Sequence, residues 1–121
     1  IRDRENSGKN FDTRPGGNYE VIDIGSYFQV KRITVLPGKR LSLQSHKYRK
    51  EHWIVVLGEA EVVIDDRIFN LKISQSIDIP LGSIHRLSNK TNSKLIIIEI
   101  QFGEYLGEDD IIRYEDDFNR V

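Results

Sequence analysis

The chain has 121 residues, of which 38% are hydrophobic and 31% charged, and its formal net charge is −1. This length accommodates one domain around one core. The near-neutral charge excludes a strong basic field, so we expect neither a nucleic-acid nor a membrane partner. The chain contains no cysteine, which excludes disulfides, thiolate metal sites and a cysteine nucleophile. A metal ion would therefore need histidine nitrogens and carboxylate oxygens as ligands.

The longest apolar run covers residues 95–98, which is too short to span a bilayer, and no signal peptide is visible. Together with the absence of cysteine, this favours a cytoplasmic protein. The chain begins with isoleucine and contains no methionine, so we expect it to be a piece of a longer protein.

Short β-rich runs dominate the chain. Residues 1–13 are polar and aperiodic, and we interpret them as an N-terminal arm or linker that precedes a domain over residues 14–121. The runs that follow are separated by turn residues, as in closed or sandwiched antiparallel sheets. The predicted strands cover residues 19–24, 28–36, 40–46, 52–57, 60–64, 67–71, 76–79, 85–88 and 95–102. The acidic tail over residues 108–118 predicts a short amphipathic helix or an ordered extension.

Strand phase separates polar from apolar side chains in two of these runs, because residues i and i+2 share a face. Gln44 and His46 lie on the polar face of one run, and Glu99 and Gln101 on the polar face of the other. Such faces are either a wet outer surface or the wall of a ligand cavity inside a barrel. Phase alone does not distinguish the two.

Motif spacing favours the cavity. The chain reads His46-x-Tyr48-x-x-Glu51 with Gly58 seven residues after the glutamate, and later Pro80-x-Gly82-x-x-His85-x-x-x-Asn89. The two stretches resemble the two sequence motifs of the cupin superfamily. The resemblance implies an all-β fold, the cupin double-stranded β-helix or jelly-roll barrel, with a short C-terminal extension.

The cupin motifs imply a metal site. We predict that His46, Glu51 and His85 bind a divalent metal, with Zn²⁺ expected and Mn²⁺ or Fe²⁺ as alternatives, since these ions accept nitrogen and oxygen ligands. Glu51 and His52 face opposite sides of a regular strand, so only one reaches the centre. The spacing to Gly58 favours Glu51, whereas His52 lies six residues from His46 and is in phase with it if no bulge intervenes.

A narrower resemblance covers residues 14–120. It is carried by Arg14-Pro15-x-Gly17-x-Tyr19-Glu20, by Pro37-Gly38-Lys39-Arg40-Leu41-Ser42-Leu43-Gln44-Ser45-His46, by Arg49-x-Glu51-His52-Trp53 and by Tyr105-Leu106-Gly107-Glu108-Asp109-Asp110. These motifs are similar to the type II mannose-6-phosphate isomerase domain, the C-terminal part of bifunctional mannose-1-phosphate guanylyltransferase/mannose-6-phosphate isomerases. The resemblance implies an enzyme that interconverts mannose 6-phosphate and fructose 6-phosphate by metal-assisted proton transfer through an enediol.

The resemblance also suggests roles for side chains. Glu99 or His52 would move the proton, and Arg113 would assist catalysis by binding the phosphate. Gln44 and Gln101 are predicted to bind sugar hydroxyls. The cationic candidates for the phosphate are Lys31, Arg40, Arg49 and Arg113, of which Arg113 and Arg40 are preferred. Trp53 is expected in the core.

Two positions depart from the family pattern. Gly16 stands where the family has tryptophan, and Tyr48 replaces the second histidine of the His-x-His pair. A phenol is a poor zinc ligand unless it ionises, and its ordinary pKa is about 10. Either fewer residues hold the metal, or Tyr48 only forms a hydrogen bond, or metal binding is weak or absent.

The departures keep alternative functions open. One is a non-catalytic module that binds a sugar phosphate or nucleotide sugar beside a guanylyltransferase. Another is metal-free epimerisation of a nucleotide sugar. We also expect a homodimer, since the arm over residues 1–13 can add a strand to a neighbouring sheet edge.

Overall fold

The computed structural model describes residues 11–14 and 16–117. Their secondary structure consists of β-strands and one short 3₁₀ helix, Glu108–Asp110. In chain order the strands are β1 Phe11–Arg14, β2 Gly17–Ile24, β3 Phe28–Val35, β4 Leu43–His46, β5 Lys50–Leu57, β6 Ala60–Ile64, β7 Arg67–Leu71, β8 Ser76–Ile79, β9 His85–Ser88, β10 Leu95–Phe102 and β11 Ile111–Glu115. Within the described residues, no helix is long and apolar enough to cross a membrane.

The strands form two antiparallel sheets. The first, which we call sheet A, has the order β1-β2-β3-β10-β5-β8, and the second, sheet B, has the order β11-β4-β9-β6-β7. Neighbours that are distant in sequence, such as β3 with β10 and β4 with β9, pair within each sheet. This arrangement confirms the predicted all-β, cupin-type architecture.

The row of inward-facing side chains changes from apolar to polar along each central strand. On β10, Leu95 and Ile97 are buried in the apolar core, whereas Glu99 and Gln101 are buried further along the same face. Lys31 lies opposite Glu99 on β3. The polar faces identified in the sequence therefore point into the molecule, with the apolar core at one end of the interior and a polar cavity at the other.

The predicted strands agree with the structure over residues 60–64, 67–71, 76–79, 85–88 and 95–102. The run over residues 40–46 is shorter than predicted, since β4 begins at Leu43 and Arg40 forms only an isolated bridge with Ser88. The intervening backbone still bonds β9, because the Leu41 amide donates to the Leu87 carbonyl at 2.9 Å.

Two terminal segments differ in part from expectation. Of the two options for the tail, the ordered extension is confirmed and the helix is wrong beyond a single 3₁₀ turn, because Ile111–Glu115 extends along β4 as an edge strand, with Ile111 opposite His46. Residues 11–13, assigned to an arm, belong to β1 and pair with β2 of their own sheet. The remainder of the predicted arm, residues 1–10, lies outside the described residues.

Two turn glycines provide a matched test of the packing between strands. Gly58 has a φ of +84°, and a Cβ there would lie 2.6 Å from the Lys94 carbonyl oxygen. Gly38 has a φ of +74°, but a Cβ there would meet nothing within 4 Å. Urea unfolding should therefore show that Gly58→Ala lowers the free energy of unfolding by about 3 kcal/mol or more, and Gly38→Ala by about 1 kcal/mol. Equal losses would contradict the close backbone approach at Gly58.

Candidate metal centre

Three predicted ligands meet inside the barrel. His46 ends β4, Glu51 lies in β5 and His85 begins β9, and one potential ligand atom from each lies within 4.8 Å of the others. All three side chains are buried, with exposures of 3%, 3% and 2%. The cluster is thus assembled from both sheets and has the nitrogen and oxygen donors that a borderline divalent ion prefers.

Strand alternation decides between Glu51 and His52. Glu51 points inward, whereas the His52 side chain is 31% exposed and pairs with Asp78 on β8 through a 2.6 Å contact between Nδ1 and Oδ1. No bulge lies between the two residues in the pairing of β5 with β8. The alternative assignment of His52 as a ligand is therefore wrong, and so is its assignment as a proton carrier.

Tyr48 lies outside the centre. Its side chain is 56% exposed, and its ring packs edge-on against Tyr105 with 6.1 Å between centroids. The strand ends at His46, so the alternation that would have turned Tyr48 inward stops at the turn. Of the options left open by the sequence, the structure supports a centre held by three residues, as in catalytic zinc sites that keep one position open.

Burial keeps both imidazoles neutral. Desolvation, with a further contribution from the Arg49 charge, lowers the pKa of His46 to about 2. Desolvation also lowers the pKa of His85, although a hydrogen bond to the Ser83 carbonyl opposes this shift. Because a histidine binds metal as neutral imidazole, no proton has to be removed from either ring at neutral pH.

The hydrogen bonds of the rings fit metal binding. His85 Nδ1 lies 3.2 Å from the Ser83 carbonyl oxygen, to which it donates, so Nε2 keeps its lone pair. His46 Nε2 lies 3.0 Å from Gln44 Oε1. In the tautomer that donates from Nε2 to Gln44, the lone pair lies on Nδ1, the nitrogen 3.5 Å from Glu51 Oε2. Such outer contacts orient the imidazoles of metal sites, and the donor set therefore suits a divalent ion.

Arg49 was underestimated by sequence reasoning, which preferred other arginines. Its side chain is buried at 3% exposure, its Nε donates to Glu51 Oε2 at 3.0 Å, and its Nη2 lies 2.9 Å from His46 Nε2. His46 Nε2 accepts from Arg49 or donates to Gln44, but not both at once. The available signal was strand phase, since Arg49 lies two residues before Glu51 and shares its face.

A half-open cavity is lined by two of the three ligands, Glu51 and His85. The rest of its polar wall comes from both sheets and includes Lys31, Gln44, Arg49, Arg86, Glu99 and Arg113. The apolar part of the wall includes Tyr19, whose ring lies 4.3 Å from the Lys31 ammonium nitrogen, and the buried Trp53, as expected for the core. Lys31, Gln44, Glu99 and Arg113 are thus brought to one cavity, as the sequence analysis proposed.

Two predicted substrate-binding residues lie elsewhere. Arg40 is exposed on the outer side of sheet B and binds the Asp117 carboxylate through two hydrogen bonds of 2.8 Å, so its assignment to the site is wrong. Gln101 is fully buried behind Glu99, to which its amide donates, while its oxygen accepts from Gln29 at 3.3 Å. Gln101 therefore orients Glu99 instead of lining the cavity.

Glu99 has an unusual ionisation. Burial and the nearby Glu51 carboxylate raise the pKa of Glu99 to about 7, against the opposing effects of Lys31 and Arg49. Glu51 also accepts a 2.9 Å hydrogen bond from the Trp53 indole nitrogen. Glu51 thus accepts hydrogen bonds from one charged and one neutral donor. Glu99, by contrast, is about half ionised at neutral pH.

Sequence comparisons agree with this geometry. A family model described as "Mannose-6-phosphate isomerase C-terminal" matches residues 2–116. The chain belongs to this family. It is 57% identical to the alginate biosynthesis protein AlgA of Pseudomonas aeruginosa over 108 residues, covering 89% of this chain and 22% of that protein. It is also 57% identical to the xanthan biosynthesis protein XanB of Xanthomonas campestris, covering 89% and 23%.

A mannose-1-phosphate guanylyltransferase of Escherichia coli is 51% identical over 108 residues, covering 89% of this chain and 23% of that protein. The chain therefore spans less than a quarter of the length of these relatives.

Solved structures support the fold. The Schizosaccharomyces pombe Cnp3 cupin domain matches with a TM-score of 0.71 and 12% identity, covering 76% of this chain and 68% of that chain.

Bacillus subtilis oxalate decarboxylase matches with a TM-score of 0.78 and 17% identity, covering 88% of this chain and 30% of that chain. At this identity the match concerns the fold alone. Both neighbours place this member of the family among double-stranded β-helix proteins.

The raised pKa of Glu99 predicts a pH-dependent stability. Below about pH 4.5 the Glu99 carboxyl group is protonated in both the folded and the unfolded state. As the pH rises from about 4.5 to about 7, Glu99 ionises first in the unfolded chain, so its contribution lowers the stability of the folded state by about 3 kcal/mol. The lowered pKa values of His46 and His85 act in the opposite direction, because these rings take up protons first in the unfolded chain as the pH falls. Urea titrations should therefore show that the difference in unfolding free energy between Glu99→Gln and the parent protein changes by about 3 kcal/mol over this range.

Glu104→Gln, an exposed substitution after β10, is the matched control and should follow the parent protein. If the stabilities of Glu99→Gln and the parent protein change in parallel over this pH range, the raised pKa of Glu99 is contradicted.

Proposed function

We propose that the chain is the isomerase part of a larger enzyme and interconverts mannose 6-phosphate and fructose 6-phosphate at this centre. The observation that carries the proposal is the position of Glu99, a buried carboxyl group with a pKa of about 7 that lines one cavity with Glu51 and His85, two members of the ligand cluster. Membership of the mannose-6-phosphate isomerase C-terminal family supports the same substrate.

Aldose–ketose isomerisation moves a proton between C1 and C2 of the sugar through an enediol. A base with a pKa near the working pH performs this transfer best, because it can both accept and return the proton. Glu99, in its ionised form, would take the proton from C2 of mannose 6-phosphate and return it to C1. The hydroxyl proton on the C2 oxygen would pass to the C1 oxygen, so that the carbonyl moves from C1 to C2. Gln101 would hold the carboxylate in place through its amide. A divalent ion on His46, Glu51 and His85 would supply Lewis acidity at the carbonyl oxygen.

The charge of the cavity suits a phosphate dianion. Lys31, Arg49, Arg86 and Arg113 contribute four positive charges to its wall, of which Arg86 pairs with Glu115. Glu51 contributes one negative charge, and Glu99 is partly protonated at neutral pH. Guanidinium groups bind phosphate through paired hydrogen bonds. Arg49 Nη1 is buried and has no hydrogen-bond partner among the described residues, so it is available to an acceptor oxygen of the substrate.

A coupled assay that converts mannose 6-phosphate to fructose 6-phosphate tests the proposal. Activity should appear with Zn²⁺, Mn²⁺ or Fe²⁺ and disappear with a chelator. Glu99→Gln should lower kcat by about 100-fold to 10,000-fold, the usual contribution of a positioned acid–base group. His52→Gln is the matched control, since His52 lies on the outer face of β5, and it should keep the activity of the parent protein.

Absence of turnover with all three metals would overturn the isomerase proposal. If mannose 6-phosphate still raised the melting temperature in that case, the cavity would bind a sugar phosphate without catalysis. Full activity of Glu99→Gln would reject Glu99 as the base while leaving the reaction itself in place.

A further inference from the structure

The turn between β4 and β5 connects two groups of the metal centre. β4 ends at His46 and β5 begins at Lys50, so residues 47–49 set how His46 sits relative to Arg49 and Glu51. Lys47 and Tyr48 are exposed at the side chain and contribute nothing to the cavity wall. Whatever fixes the backbone of this turn therefore also fixes the spacing of the ligands.

A carboxylate from the C-terminal segment binds this turn. Asp110, which is 7% exposed, accepts hydrogen bonds from both backbone amides, with Oδ1 3.0 Å from the Lys47 nitrogen and Oδ2 2.9 Å from the Tyr48 nitrogen. Each oxygen thus has one donor. Buried backbone N–H groups need such partners, and a charged acceptor forms the stronger kind of hydrogen bond.

Two further backbone contacts hold the same turn. The Gly82 amide donates to the His46 carbonyl at 2.9 Å. Gly103 lies so close that a Cβ there would be 2.5 Å from the Tyr48 carbonyl oxygen. Immediately after Asp110, Ile111 pairs with His46, and the same strand carries Arg113 into the cavity. The C-terminal segment that fixes the turn therefore also carries the Arg113 guanidinium group to the cavity.

We infer that Asp110 is a positioning residue of the metal centre: by binding the Lys47 and Tyr48 amides, it holds the turn that sets His46 against Glu51, the arrangement in which their ligand atoms lie together. This inference rests on the proposed metal-dependent function. Asp110 touches neither the substrate nor the metal, and acts through the turn. Asp110 is one of the acidic residues of the C-terminal tail, and this role gives it a structural function.

Metal affinity measured by competition with a chromophoric chelator tests this role. Asp110→Asn keeps the shape but replaces one acceptor with a donor that faces an amide N–H. It should weaken Zn²⁺ and Co²⁺ binding by about 10-fold to 100-fold, the range found for outer partners of metal ligands. The matched control is Asp109→Asn, the exposed neighbour whose carboxylate accepts from the Tyr105 hydroxyl, and it should bind metal like the parent protein.

Melting temperatures with zinc and with chelator separate positioning from a structural role. A positioning role shrinks the increase in melting temperature that zinc produces. Equal loss of stability in both conditions, with unchanged affinity, would overturn the inference alone. Failure of the parent protein to bind zinc or cobalt would instead overturn the metal-dependent function and this inference with it.

Hydrogen exchange on the parent protein provides a test that does not depend on the folding of a variant. Because coupling is reciprocal, a clamp that favours metal binding must itself be stabilised by metal. Zinc should slow exchange of the Lys47 and Tyr48 amides by about 10-fold or more. Exchange rates at these two amides that are the same with and without zinc would reject the coupling.

Discussion

A carboxylate enclosed in the barrel, Glu51, is the group on which the rest of the site depends. A buried charge is costly unless it is paired and hydrogen-bonded. Glu51 has an arginine partner in Arg49 and a neutral donor in the Trp53 indole, and it lies beside His46. These contacts explain why a strand that is otherwise part of the apolar core carries a charge at its start. The same carboxylate also raises the pKa of Glu99, so the ligand and the proposed base are linked electrostatically.

The division of the interior follows from this constraint. Charged residues occupy only one end of the inward-facing rows, where they can neutralise one another, and branched aliphatic residues fill the other end. Ile97 contacts the apolar core while Glu99, two positions later, joins the polar cavity. The same two sheets therefore enclose both an apolar core and a polar cavity.

Much of the fold was predictable because alternation is a local property. The period of two in β10 correctly grouped Glu99 with Gln101 on one buried face. The spacing from Glu51 to Gly58 favoured Glu51, and Glu51 is buried whereas His52 is partly exposed. Failures occurred where regular strand structure stops. Tyr48 follows the last residue of β4, so its phase no longer predicts its side. Arg40 precedes β4 and forms only an isolated bridge with Ser88, so the phase of β4 does not extend to its side chain.

The conformation of the C-terminal segment was also not predictable, and here the reason is different. Its alternation of acidic and apolar residues is compatible with a helix turn or with a strand, and the choice is made by the free edge of β4, which is distant in sequence. Arg113 reaches the cavity only because of this pairing. A nonlocal contact of this kind leaves no local pattern, and the resemblance to a family indicated the residue without indicating its geometry.

We propose that a divalent ion binds to two imidazoles and one carboxylate inside the barrel. X-ray absorption spectroscopy of the zinc-loaded protein tests this binding most directly, since imidazole rings produce a recognisable scattering pattern. We expect two imidazole nitrogens and oxygen ligands around zinc, and the loss of one imidazole in His85→Ala. A spectrum with one imidazole or none, or one that His85→Ala leaves unchanged, would contradict the assignment of His46, Glu51 and His85 as the metal ligands.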